Sequence, residues 1–121
     1  MSLPEVFLAA AARGKLAVPW CVACGRYAAP GITTCPGCAG GLQWSAVRGE
    51  GILYSWTTVH QVFDASLAGD VPYVVALVDL AEGPRLITRL VGFDRPPRSG
   101  EAVRVDFQRV GDRLLPVFRP A

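Results

Sequence analysis

Four cysteines, Cys21, Cys24, Cys35 and Cys38, are the residues of this 121-residue chain whose spacing most clearly implies chemistry. They stand as C-V-A-C-G and, ten residues later, C-P-G-C-A, and no cysteine occurs elsewhere. One C-x-x-C turn can close a redox disulfide, but two such turns facing each other suit a tetrahedral Zn2+ with thiolates about 2.3 Å from the metal. Gly25 frees the backbone to aim N–H groups at the sulfurs, and Pro36 stiffens the second turn. A full thiolate shell leaves no open coordination position, so this zinc would be structural and would hold together a segment too small for its own core. The alternative is the same pair of hairpins without metal, reduced or disulfide-linked.

Beyond the cysteines, little points to catalysis. His60 is the single histidine, and no serine, cysteine or carboxylate pair is placed by motif beside it. Asp79 and Glu82 flank a turn and read as solvent-facing, and no glycine-rich phosphate loop is present. No catalytic residue is assigned, and a binding or scaffolding subunit is the expectation.

Composition limits the remaining classes. Hydrophobic residues make up 51% and charged residues 18%, too apolar for a disordered chain, yet no run reaches the length of a membrane span. The first twelve residues lack a basic signal-peptide start, which with metal-committed cysteines predicts a cytoplasmic protein. Net charge is +2, but residues 85–121 carry eight arginines against four acids. Such a tail could face phosphate, or its arginines could alternate outward on strands and solubilise an apolar barrel.

Three segments must position these groups: a helix within 1–14, a rubredoxin-like zinc ribbon over 15–48, and a barrel over 49–121. Ser2-Leu3-Pro4-Glu5 reads as a capping box for a helix from Leu3 to Arg13 that stops at Gly14. Val6, Phe7, Leu8 and four alanines make it apolar nearly all round, so it must pack on its own barrel or on a partner. In the ribbon, Lys15 to Trp20 is extended, Arg26 to Pro30 returns, and Trp20 and Trp44 cover its apolar side.

From Gly49 the pattern changes to five short strands: Gly51–Gln61, Pro72–Leu80, Arg85–Gly92, one alternating about Val103, Val105 and Phe107, and Arg113–Phe118. Loops Phe63–Val71 and Phe93–Gly100 separate them. The fold class is therefore mostly β: an N-terminal helix, the ribbon, then a five-stranded Greek-key barrel of the OB type.

The order of helix, C-x-x-C-G, C-P-x-C, G-E-G-I-L-Y-S-W-T from Gly49, P-Y-V-V-A-L-V-D-L-A-E-G from Pro72 and L-L-P-V-F-R-P from Leu114 resembles a known family. These are the OB-fold proteins with a rubredoxin-like zinc ribbon, long catalogued as a domain of unknown function and described as acyl-CoA-associated. The resemblance implies a non-catalytic accessory subunit of a thiolase-like or lipid-transfer-protein-like enzyme in fatty-acyl, polyketide or sterol side-chain metabolism, with acyl-CoA as ligand and homo-oligomers allowed. Tyr54, Trp56, Arg85 and Arg89, on early barrel strands, are the candidate ligand-side groups. The alternative is single-stranded nucleic-acid binding, in which Tyr54 and Trp56 would stack bases; a net charge of +2 argues against it.

Overall fold

The computed structural model describes residues 4–60 and 72–121. The elements are helix α1 (Glu5–Ala12) and strands β1 (Leu16–Cys21), β2 (Leu42–Val47), β3 (Glu50–Val59), β4 (Tyr73–Leu80), β5 (Arg85–Leu90), β6 (Ala102–Val110) and β7 (Arg113–Pro120). The expected loop from Phe63 to Val71 lies outside the described residues. No helix among them is long and apolar enough to cross a membrane.

The helix ends where its glycine predicts. Gly14 takes φ 74, its N–H donates to the Ala11 carbonyl at 2.9 Å, and the Lys15 N–H reaches the Ala10 carbonyl at 3.0 Å. This closure needs a left-handed residue, which glycine supplies without strain. The start differs from expectation. Ser2 and Leu3 lie outside the described residues, and Pro4 is the N-cap at ψ 142, with no side-chain cap, so Glu5 opens the helix and cannot close a capping box.

Strands β1 and β2 form a two-stranded antiparallel sheet from Leu16 opposite Val47 to Cys21 opposite Leu42. The expected return strand at Arg26–Pro30 is only a bridge between Trp20 and Tyr27, plus an Ala28 N–H donated to the Pro19 carbonyl at 2.9 Å. Pro19 has no N–H to offer, so a longer ladder cannot form on that edge. Trp20 stands beside Tyr27 with ring centroids 6.4 Å apart, while Trp44 packs against the main core.

The other five strands close a barrel in the order β3-β4-β5-β7-β6, antiparallel except where β5 meets β7. That seam is narrow, with one paired position, Leu90 opposite Phe118. Leu53, Ala76, Val78, Leu80, Leu86, Leu90, Val103 and Phe118 fill the interior, and Phe7 of α1 with Leu16 and Val18 of β1 join the same cluster. The helix thus buries Phe7, Ala10 and Ala11 against its own chain, packing on β1 and β7, and leaves Val6 48% exposed. Val75 and Leu77, alternating with buried Ala76 and Val78, stay half-buried, so the apolar run of β4 is covered fully on one side only.

Candidate functional site

The two cysteine turns are built alike. In the first, Gly25 donates its N–H to the Cys21 carbonyl at 2.7 Å and the Cys21 N–H goes to the Arg26 carbonyl at 2.8 Å. In the second, Ala39 donates to the Cys35 carbonyl at 2.8 Å and Cys35 to the Gly40 carbonyl at 2.9 Å. Gly25 and Ala39 hold matching positions with φ 74 and φ 61, and Ala39 is the one non-glycine residue at positive φ among those described. A β-carbon in that region costs roughly 1–2 kcal/mol, partly offset by glycine's greater freedom in the unfolded chain. Ala39→Gly is therefore expected to stabilise the protein by about 0.5–1 kcal/mol, read as a higher thermal midpoint. At Gly40 a β-carbon would stand in tight contact, 3.2 Å from Cys38 Sγ.

These turns bring all four sulfurs within 4.8 Å of one another. Cys21 and Cys38 are 3.5 Å apart and Cys24 and Cys35 3.4 Å, too long for disulfide bonds, and all four are free thiols. A regular tetrahedron with metal–sulfur bonds of about 2.3 Å has edges of about 3.8 Å, so the donor set fits a tetrahedral metal ion. Cys21 and Cys35 are buried; Cys24 and Cys38 form the exposed side.

The surroundings of the sulfurs are unequal. Backbone N–H groups of Cys38 and Gly37 aimed at Cys35, together with the thiols of Cys24 and Cys21, outweigh its burial and bring its pKa down to about 6. At Cys24 the Arg26 N–H is the largest single influence and acts in the same direction, but the Cys35, Cys21 and Cys38 sulfurs and burial together outweigh it and push the pKa up to about 12. Cys38 is likewise raised, the Gly40 N–H being outweighed by its contacts with Cys21 and Cys35. Sulfurs this close share protons while no cation is present; a bound metal dication would take the place of those protons.

On the barrel, the candidate ligand groups divide between faces. Leu53 pairs with Val78, but a bulge follows, and beyond it Ser55 pairs with Leu77 and Trp56 with Ala76. Leu53, Val78 and Ala76 are interior residues, so Trp56 belongs to the interior row, though 38% exposed, and the bulged Tyr54 stands outside, 51% exposed. Two residues apart in an unbroken strand would share a face; the bulge removes that relation. Arg85 lies 3.6 Å over the Tyr54 ring and binds Asp79 through both carboxylate oxygens, at 2.7 and 3.2 Å. That guanidinium holds the Asp79 carboxyl below the usual range. Arg89 is 4.9 Å over Tyr73 instead.

Asp79, which the sequence reads as solvent-facing, and Tyr73, which it does not single out, are thus the neighbours of the two candidate arginines. The short turn at 81–84 sets Asp79 directly opposite Arg85, a register that the hairpin itself could have revealed. Tyr73 carried no such signal.

Arg89 lines two adjoining cavities. One, of about 240 Å3, lies by the β5–β7 seam against Phe7, Leu86, Ile87, Leu115 and Pro116 and is mostly apolar. The other, of about 290 Å3, is more polar and is bordered by Tyr73, Phe93 and Arg95. The arginine-rich tail does not gather on one face. Arg95 binds Glu101, Arg119 binds Asp106 at 2.6 Å, and Arg104, Arg109 and Arg113 are exposed on β6 and β7. On the strands, Arg85 and Arg119 thus have carboxylate partners, while the other exposed arginines of β6 and β7 face solvent. His60, exposed just past β3, has no hydrogen-bonded partner among the described residues.

Comparison with known proteins agrees with this architecture. The family described as "ChsH2, C-terminal OB-fold domain" matches residues 44–108. A "Probable enoyl-CoA hydratase alpha subunit" of Thermomonospora curvata is 40% identical over 93% of this chain, which spans 35% of that protein's length. A "DUF35 domain-containing scaffold protein" of Methanothermobacter thermautotrophicus is 33% identical over 82% of the chain and 68% of its own length. Among solved structures, a chain of the "Ltp2-ChsH2(DUF35) aldolase" superposes with a TM-score of 0.83 at 32% identity, covering 99% of this chain and 95% of that one. A DUF35 protein from Sulfolobus solfataricus shares the fold at TM-score 0.63 and 15% identity, over 97% of this chain and 84% of its own. With the cysteine cluster, the barrel and these matches together, the chain belongs to the DUF35 family of OB-fold proteins.

Proposed function

We propose that this chain is a non-catalytic subunit, stapled by a structural Zn2+ at Cys21, Cys24, Cys35 and Cys38, that joins a thiolase-like or lipid-transfer-protein-like enzyme and helps hold its acyl-CoA. The observation that carries the reading is the similarity over 99% of the chain to a DUF35 chain of an aldolase assembly. The word scaffold in the Methanothermobacter thermautotrophicus relative's name and the word subunit in the Thermomonospora curvata one point the same way. The natural setting is the cytoplasm, where thiols stay reduced.

On this reading the outer faces of β4 and β5 receive the ligand. Arg89 stands between an apolar cavity suited to an acyl chain and a polar one bordered by Arg95 and two aromatic rings. Tyr54 and Arg85 extend the same surface, whereas Trp56, on the other row, takes no part. Nucleic-acid binding is the weaker reading, since Arg85, Arg95 and Arg119 are already bound to carboxylates and a phosphate-tracking groove needs unengaged charge.

Titration calorimetry with acetyl-CoA and decanoyl-CoA, on the chain alone and with its co-purified enzyme, tests the proposal. Arg89→Gln is expected to weaken binding about tenfold, the loss of roughly one charge-assisted hydrogen bond. If neither thioester binds in either format and no enzyme co-purifies, the reading fails.

A further inference from the structure

Arg26 is the only charged side chain between residues 16 and 47, and from Val6 to Gly49 there is no aspartate or glutamate at all. The loaded cysteine site would put a dianion, four thiolates on one dication, into a segment that otherwise holds no negative charge. Arg26 follows the first turn directly. Its carbonyl accepts from the Cys21 N–H at 2.8 Å, and its own N–H faces the Cys24 sulfur.

The side chain then crosses to the second turn. A β-carbon placed on Gly37 would meet Arg26 Nη1 at 2.9 Å and its Cδ and Cζ at 3.0 Å, so the end of the Arg26 side chain occupies the space beside Gly37, which stands between Cys35 and Cys38 in the chain. Gly37 is not at positive φ, so the backbone turn there does not itself demand glycine. What a larger residue would remove is the seat of Arg26. Among the described residues no carboxylate pairs with this arginine, which distinguishes it from Arg85, Arg95 and Arg119.

We infer that Arg26 is the counter-charge and strap of the cysteine site: its backbone supports the first turn, its guanidinium braces the second, and its positive charge offsets the thiolate centre. It is a positioning residue and does not touch the metal. Groups that orient or neutralise a metal's ligands commonly change affinity by about ten- to a hundredfold when lost. The inference rests on the zinc reading above, and the test separates the two.

Full-length protein is loaded with Zn2+ and its release to a chromophoric chelator is followed at low and high salt, for the wild type and for Arg26→Gln, Arg26→Lys and Gly37→Ala. Arg26→Gln is expected to release zinc at least about tenfold faster at low salt, with the difference shrinking as salt screens the charge. Arg26→Lys keeps the charge without the planar brace and should fall between. Gly37→Ala keeps Arg26 but displaces it, and should resemble Arg26→Gln while folding normally. If Arg26→Gln releases zinc at the wild-type rate, the inference is overturned. If Arg26→Lys and Arg26→Gln release it equally fast at every salt concentration, the counter-charge is overturned. A wild-type chain that takes up no zinc would overturn the metal reading itself.

Discussion

Cys24→Ser is expected to abolish metal retention and to lower stability by at least ~3 kcal/mol, a fall in the thermal midpoint of roughly 10 °C or more. Cys24 is the informative choice because it is exposed, so serine there removes a ligand without burying a hydroxyl group. Cys35→Ser should cost more, since Cys35 is 3% exposed and its serine would be left in an apolar setting. Between β1 and β2 the described chain has no regular strand or helix, only turns and two isolated bridges, so a metal on the four sulfurs is expected to hold its path. The damage should not stop there. Leu16 and Val18 of β1 lie in the same core cluster as Leu53 and Phe118 of the barrel, so loosening the ribbon withdraws apolar contacts from the barrel as well. Amide exchange in the metal-free protein checks this: residues 22–41 should lose protection first, with a smaller loss across β3 and β7. Full protection of 22–41 without metal would mean that the turns hold without the ion.

Phe7→Ala should be comparably severe. Phe7 is 5% exposed and packs into the core beside the β5–β7 seam, where it also walls the apolar cavity. Truncating a buried phenylalanine typically costs about 3–5 kcal/mol, and at this seam the strands share only one pair through which to tighten around the void. Removing α1 should act in the same direction, through folding before assembly. Thermal melting of Phe7→Ala beside Val6→Ala decides it. Val6, 48% exposed, should change stability little, and any loss of co-purifying enzyme on its replacement would mark the outer side of α1 as the contact surface.

Much of the fold was legible because its signals are local. Gly14 ends α1, the turn residues at 81–84 and 111–112 bound their hairpins, and strand alternation located β6 through Val103 and Arg104. Where reading by spacing fell short, a contact distant in sequence had decided the outcome. Pro4 at the N-cap shows the limit even locally, for a capping box and a proline cap look alike until the backbone selects one.

The sequence by itself determined the four-cysteine ribbon and the order of strands along the chain, because C-x-x-C turns and two-residue alternation are properties of a few adjacent residues. Only the tertiary structure decided which side chains share a face. The bulge after Leu53 separates Tyr54 from Trp56, barrel closure brings Phe118 to Leu90, and Phe7 turns inward to complete that core. Register and closure follow from how apolar surface is best buried over the whole chain, and no local window of sequence contains that comparison.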